Sequence, residues 1–266
     1  MSYQTLFKTL WDDYTRRNPH ARKIYDSFVA RGENVVNDHI ALRTFNDPRI
    51  GVDKLGSVFT ALGYEEKGTY DFPVKKLFAK HYEHANPDAP KVFISELLIG
   101  NFSHELQTTI KDAIDQIPFD ELSPEELINS STSWKLSHAT YKKLLSESEY
   151  AAWTYAFGFC ANHFTVNVNA LTTFNDLPAV NEFLKKSGFK LNISGGEIKG
   201  TRADYLEQSS TMAEETPVKF EEGSIQIPSC YYEFAKRYAM PDGKLYTGFV
   251  AASADKIFES TDVKNR

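Results

Sequence analysis

Cysteine is scarce. Cys160 and Cys230 are the only two in 266 residues, too few for a disulfide framework or a cysteine-rich zinc site. A reducing cytoplasm suits such a chain. Long apolar runs are also missing. None reaches the roughly 20 residues that span a bilayer, so no membrane partner is expected. The opening MSYQTLFKTLWDD has no basic stretch followed by an apolar one, the signature of a secretory leader. Basic charge is concentrated nowhere, and the net charge of −6 comes from acids and bases mixed along the chain. That argues against a nucleic-acid surface. The remainder is the composition of an ordinary globular protein, 41% hydrophobic and 25% charged.

Apolar spacing divides the chain. Leu6, Phe7, Leu10, Trp11 and Tyr14 recur at helical intervals, and a second helix is predicted from Pro19 to Ala30, with Gly32 as its stop. The period then shortens. His39 to Phe45 reads as a strand, and Val52 to Leu62 as a helix closed by Gly63. Tyr64–Phe72, Lys76–Glu83 and Lys91–Leu98 read as three more strands, set apart by proline and Asn-Pro breaks. Ser103, a candidate N-cap, opens a helix to Ile117, and Ser123-Pro-Glu-Glu126 signals another. The region up to Phe157 reads as a helical insert.

A second β-α-β-β-β pattern follows. His163 to Asn169 alternates like a strand, and Leu177 to Lys186 reads as a helix stopped at Gly188. Phe189–Ile198, the stretch around Val218–Glu221, and Ile225–Arg237 supply the expected remaining strands. Pro241-Asp-Gly243 signals a turn, and Leu245 to Ser260 suggests a strand and a short closing helix. Asp38-His39-Ile40-Ala41-Leu42 lines up with Asn162-His163-Phe164-Thr165-Val166, and such repeats set architecture. The expectation is an α+β fold in which paired βαβββ modules form a curved, partly closed sheet around a cleft. Its parts are N-terminal helices (1–33), a first module (34–100), the insert (101–158), and a second module with the tail (159–266), all in one pseudo-symmetric domain.

Strand alternation assigns faces. His163, Thr165, Asn167 and Asn169 share one, opposite Phe164, Val166 and Val168; His39, Ala41 and Arg43 share another, opposite Ile40 and Leu42. Each repeat therefore turns a histidine toward the cleft. Glu233 sits in the aromatic-rich stretch Tyr231-Tyr-Glu-Phe234, where a buried acid needs a partner. Two imidazoles and a carboxylate make the open facial triad of non-haem Fe(II) oxygenases. From the residues alone a second reading stands beside it, with His39 and His163 as satisfied core histidines and Glu233 as a salt-bridged strand residue.

Asp38-His-Ile-Ala-Leu-Arg-Thr-Phe45, Asn162-His-Phe-Thr-Val-Asn167, Tyr231-Tyr-Glu-Phe234 and Ile257-Phe-Glu-Ser260 together resemble the 2-oxoadipate dioxygenase/decarboxylase family, a branch of the vicinal oxygen chelate superfamily. The resemblance implies Fe(II) on His39, His163 and Glu233, with a 2-oxo acid and O2 as small-molecule partners. It implies that Arg43 grips the substrate carboxylate, a role its guanidinium fork suits. The implied reaction converts 2-oxoadipate to 2-hydroxyglutarate and CO2, and by analogy places the chain in lysine catabolism. Asn167, Tyr231 and His81 are candidates to line the pocket. Glu96, taken as the first-repeat counterpart of Glu233, is a candidate fourth ligand or outer partner. The competing readings are a metal-dependent hydrolase or glyoxalase-type isomerase on the same fold, and a non-catalytic ligand-binding protein.

Overall fold

The computed structural model describes residues 1–129 and 132–262, so residues 130 and 131 of the expected insert lie outside the described ones. Two helices lead. In α1 (Tyr3–Arg17), Ser2 accepts from the Thr5 N–H, and Leu6, Phe7, Leu10 and Tyr14 are buried. In α2 (Pro19–Ala30), Asn18 caps the Ala21 N–H and proline takes the first position, where no backbone donor is missed. The first module is β1 (Asn37–Phe45), α3 (Val52–Thr60), β2 (Tyr64–Phe72), β3 (Leu77–His84) and β4 (Lys91–Leu97). The insert is α4 (His104–Ile114), α5 (Pro124–Asn129), α6 (His138–Glu147) and α7 (Glu149–Phe157). Ser103 caps α4 as expected, and Ser123 and Glu126 form a reciprocal capping box at α5. The second module is β5 (Ala161–Asn167), α8 (Leu177–Lys186), β6 (Lys199–Thr201), β7 (Leu206–Ser210), β8 (Glu215–Phe220), β9 (Gly223–Pro228) and β10 (Tyr231–Arg237), followed by α9 (Ala251–Ile257). Gly63 and Gly188 end α3 and α8 at φ of 92° and 86°, a conformation open to glycine at little cost.

Eight strands form one curled sheet in the order β2-β3-β4-β1-β5-β10-β7-β6. Each module runs outward from its first strand, and the modules meet where β1 and β5 pair antiparallel. Within each module the first strand pairs parallel with a later one, β1 with β4 and β5 with β10. This α+β architecture of paired modules is the one expected. Its convex face is apolar. Phe164 and Tyr232 pack against Trp11 and Tyr14 of α1, and Phe234 meets Phe28 of α2. Each such buried ring removes enough apolar surface from water to contribute roughly 2–3 kcal/mol.

The second module departs from expectation in its strands. Phe189–Ile198 is not a strand. It makes one isolated bridge, Leu191 to Thr211, and bends at Gly195 and Gly196, both at positive φ. Ile225–Arg237 is two strands, because the chain leaves the sheet at Pro228 and re-enters at Tyr231. The stretch around Val218 belongs to a separate β8–β9 hairpin. The main sheet instead takes β6 and β7, whose polar residues carry no apolar alternation. Beyond β10, Leu245 makes only an isolated bridge to Ala239, and α9 supplies the expected closing helix.

Candidate metal centre

The concave face brings the two repeats' histidines together. His39 and His163 are 2% and 5% exposed, and Glu233 is 1% exposed. One donor atom from each of the three lies within 4.8 Å of the others. His39 Nε2 is 3.5 Å from Glu233 Oε1, and His163 Nε2 is 3.2 Å from Glu233 Oε2. Ions that hold nitrogen and oxygen donors at roughly 2.0–2.2 Å draw such atoms to about 3 Å apart. Thr165 Oγ1 lies 3.0 Å from His39 Nε2, and Gln208 Nε2 donates to Glu233 Oε1 at 2.5 Å. Glu233 Oε2 has no hydrogen-bond partner among the described residues. A buried carboxylate oxygen left so, 3.2 Å from the His163 Nε2, is an environment a cation satisfies.

Electrostatics point the same way. Burial pushes the Glu233 carboxyl up to about 8, although Gln208 opposes the shift. Burial holds the His39 imidazole below its usual range, and Asp38 only partly offsets this. His163 lies well below its range, from burial first and then from the charges of His39 and Arg43. At neutral pH two imidazoles are thus ready to donate lone pairs, and an acid keeps its proton until a cation replaces it.

Register explains why the carboxylate comes from one module only. On β5, Thr165 stands opposite Glu233 of β10; the matching residue on β1, Ala41, stands opposite Phe93 of β4. The structural counterpart of Glu233 is therefore Phe93, which lines the cavity, and not Glu96. Alternation puts Glu96 on the other face. There its Oε2 accepts the Val52 N–H at 2.8 Å and caps α3.

The other candidates separate. Tyr231 stacks on His163 with ring centroids 4.6 Å apart, and its hydroxyl has no partner among the described residues. Arg43 is 1% exposed beside the site. It donates to Glu149 at 3.3 Å and to Thr261 at 3.0 Å. It lies over the rings of Tyr150 and Trp153, both from α7. The end of the insert thus builds the wall that holds Arg43, whose Nε has no partner among the described residues. Asn167 is not with the ligands. β5 ends there, its carboxamide turns back to the Asn169 N–H, and it lines a separate cavity of about 390 Å³. His81 is a satisfied structural histidine, hydrogen-bonded to Tyr70 and Glu83.

The cavity against His39, His163 and Glu233 has about 20 Å³ of free volume, room for little more than a water molecule. Its lining includes Gln208, Phe93, Phe249, Ala254, Ile257 and Phe258. Four of these belong to a C-terminal segment, Phe249 to Thr261, that crosses the concave face. Phe249 meets His39 edge to face at 4.8 Å, and Phe258 meets Phe72 at 5.3 Å. Gln208 carries no signal in the sequence, because the polar residues of its strand show no apolar alternation. The closing role of Phe249 was equally hidden, since no local period marks a contact with β1.

The profile of the 2-oxoadipate dioxygenase/decarboxylase family matches residues 2–247. The chain belongs to this family. The 2-oxoadipate dioxygenase/decarboxylase of Arabidopsis thaliana, a chloroplastic protein, is 34% identical to it over 93% of this chain and 74% of that one. The crystal structure of hydroxyglutarate synthase from Oryza sativa, in complex with 2-oxoadipate, superposes with a TM-score of 0.91 at 31% identity, covering 99% of this chain and 93% of that one. A Shewanella frigidimarina protein, provisionally called a hydrolase, is 51% identical with a TM-score of 0.89, covering 94% of this chain and 98% of that one. Among the described residues no helix is long and apolar enough to cross a membrane.

Proposed function

We propose that this family member is a non-haem Fe(II) enzyme that oxidatively decarboxylates a 2-oxo dicarboxylic acid. In our reading 2-oxoadipate and O2 give 2-hydroxyglutarate and CO2. The atoms balance, since the acid loses one carbon as CO2 and the two products together carry both oxygens of O2. The observation that carries the reading is the convergence of His39, His163 and Glu233 on one buried point, with Arg43 on the same strand face as His39. These three residues would hold the metal, which supplies a site where a 2-oxo acid and O2 meet and O2 can be reduced.

The chain's own residues do the rest. Arg43, with its unpartnered Nε, would hold a substrate carboxylate in place of part of its contact with Glu149 and Thr261. Tyr231, which lines the cavity and whose hydroxyl has no partner among the described residues, would donate a hydrogen bond to substrate oxygen. Phe93, Phe249 and Phe258 exclude water from the reacting atoms. We read the chain as one pseudo-symmetric domain, and its two buried free cysteines as suited to a reducing, cytoplasmic setting.

The test is CO2 release by the purified, Fe(II)-loaded protein with 2-oxoadipate and O2. Release that stops under anaerobic conditions is expected. Absence of turnover with every 2-oxo acid tried would sink the proposal, as would CO2 release that continues without O2; substrate conversion that needs no O2 and releases no CO2 would assign hydrolase or isomerase chemistry instead. The substitution His163→Ala should abolish metal content; unchanged metal content would point to a binding protein whose histidines are structural.

A further inference from the structure

The contact between β1 and β5 carries two irregularities, placed symmetrically. Asn37 stands opposite Val166 and His39 opposite Thr165, so Asp38 is an extra residue on β1. Ala41 stands opposite His163 and Leu42 opposite Ala161, so Asn162 is an extra residue on β5. Each repeat thus has a β-bulge at the residue just before its histidine. A regular strand would send neighbouring side chains to opposite faces; a bulge re-aims one of them. Here each bulged residue turns onto the following imidazole. Asp38 Oδ1 is 2.7 Å from His39 Nδ1, and Asn162 Oδ1 is 3.2 Å from His163 Nδ1. A carboxylate only accepts, so Nδ1 of His39 carries the proton and Nε2 keeps its lone pair.

The two bulges differ in charge and anchoring. Arg237 grips Asp38 with two bonds, Nε to Oδ2 at 2.7 Å and Nη2 to Oδ1 at 2.8 Å. Arg237 Nη1 donates to the backbone carbonyls of Tyr246 and Gly248, and its guanidinium lies 5.3 Å from the Phe249 ring. Asp38 is thereby fixed to β10 and to the chain that enters the closing segment. Asn162 is neutral, and its Nδ2 has no partner among the described residues.

We propose that Asp38 and Asn162 are positioning residues that aim both imidazole Nε2 atoms at the metal, with Asp38, clamped by Arg237, carrying the larger share. The inference rests on the metal reading above. Orienting partners of this kind are typically worth tenfold to a hundredfold in metal affinity.

The experiment measures Co(II) affinity by chelator competition, the Co(II) ligand-field spectrum, and thermal unfolding of the metal-free protein. The wild type is compared with Asp38→Asn, Asn162→Ala and the double variant Asp38→Asn/Arg237→Gln. Asp38→Asn should weaken Co(II) binding about tenfold to a hundredfold and shift the spectrum, and Asn162→Ala should weaken it by less than about tenfold. Asp38→Asn alone leaves the Arg237 charge buried without its partner, so it also lowers the unfolding temperature; the double variant removes that charge and should regain stability. If Co(II) affinity stays low in the stable double variant, positioning is upheld. If affinity and spectrum return to wild type as stability does, the pair is structural and the inference is overturned. Wild-type protein that binds no Co(II) overturns the metal reading itself, whereas wild-type and variant proteins that bind alike overturn only this inference.

Discussion

Of the three residues proposed to hold the metal, Glu233 is the one that must lose a proton to do so. Burial holds its proton up to about 8, while the neighbouring imidazoles are already neutral at pH 7. Metal uptake at pH 7 should therefore release close to one proton. Apparent affinity should rise about tenfold per pH unit until the pH passes about 8, then level off. Calorimetry in two buffers of different ionisation enthalpy reads the proton directly, and uptake without release would contradict this account. The same shift has a sign for the metal-free fold. A raised carboxyl pKa contributes stability that is present below the unfolded value and is lost as pH rises through the folded one. Metal-free protein should lose unfolding temperature between about pH 4.5 and 8 through this group, and bound metal should remove that trend. Arg43 gives a second prediction. Arg43→Lys keeps the charge but loses the fork, so metal content should hold while kcat/KM falls by roughly tenfold to a hundredfold; an unchanged kcat/KM would remove Arg43 from the substrate site.

Strand pairing decides what a residue at a repeat position can become. Phe93 and Glu233 occupy equivalent register positions, so one module gives the cavity a ring and the other a carboxylate. Glu96, three residues on, caps α3 through the Val52 N–H. Glu96→Ala should lower stability by about 1 kcal/mol, the usual worth of a lost N-terminal cap, with metal stoichiometry intact. A loss of metal would return Glu96 to the ligand set. The histidines were legible in the sequence because each heads a run of alternating residues, and the first module because prolines separate its strands. The second module was harder to read for a physical reason. β7 buries Gln208, Ser209 and Ser210, and these hydrogen-bond to distant partners: Glu233, Asn181 and Ser260. Polar residues paired across long sequence distances leave no hydrophobic period. The opposite error arose at Phe189–Ile198, where Phe189, Leu191 and Ile193 alternate, yet the chain bends at Gly195 and Gly196 and Ile193 is 70% exposed.

In the molecule as a whole, the cavity is too small for the proposed substrate while Phe249, Ile257 and Phe258 lie across it. A six-carbon acid needs several times its 20 Å³, so on the proposed function the segment from Phe249 to Thr261 is expected to shift as the acid enters. The segment is held by hydrogen bonds with Tyr70, Asn192 and Ser194, and on its outer side Lys75 reaches Asp255 and Glu259 at 3.8 and 3.6 Å across a partly exposed surface, ion pairs that contribute little. Hydrogen exchange should show amides of this segment opening faster than those of β5, and slowing when metal and 2-oxoadipate are added together. Protection equal to that of β5, with or without ligands, would mean that the acid enters elsewhere. The order of these parts along the chain has one more consequence. His39, His163 and Glu233 all precede the segment that covers them. On the proposed function, the three residues leave the ribosome before their cover does, so metal would reach them most freely before the segment from Phe249 to Thr261 folds across them.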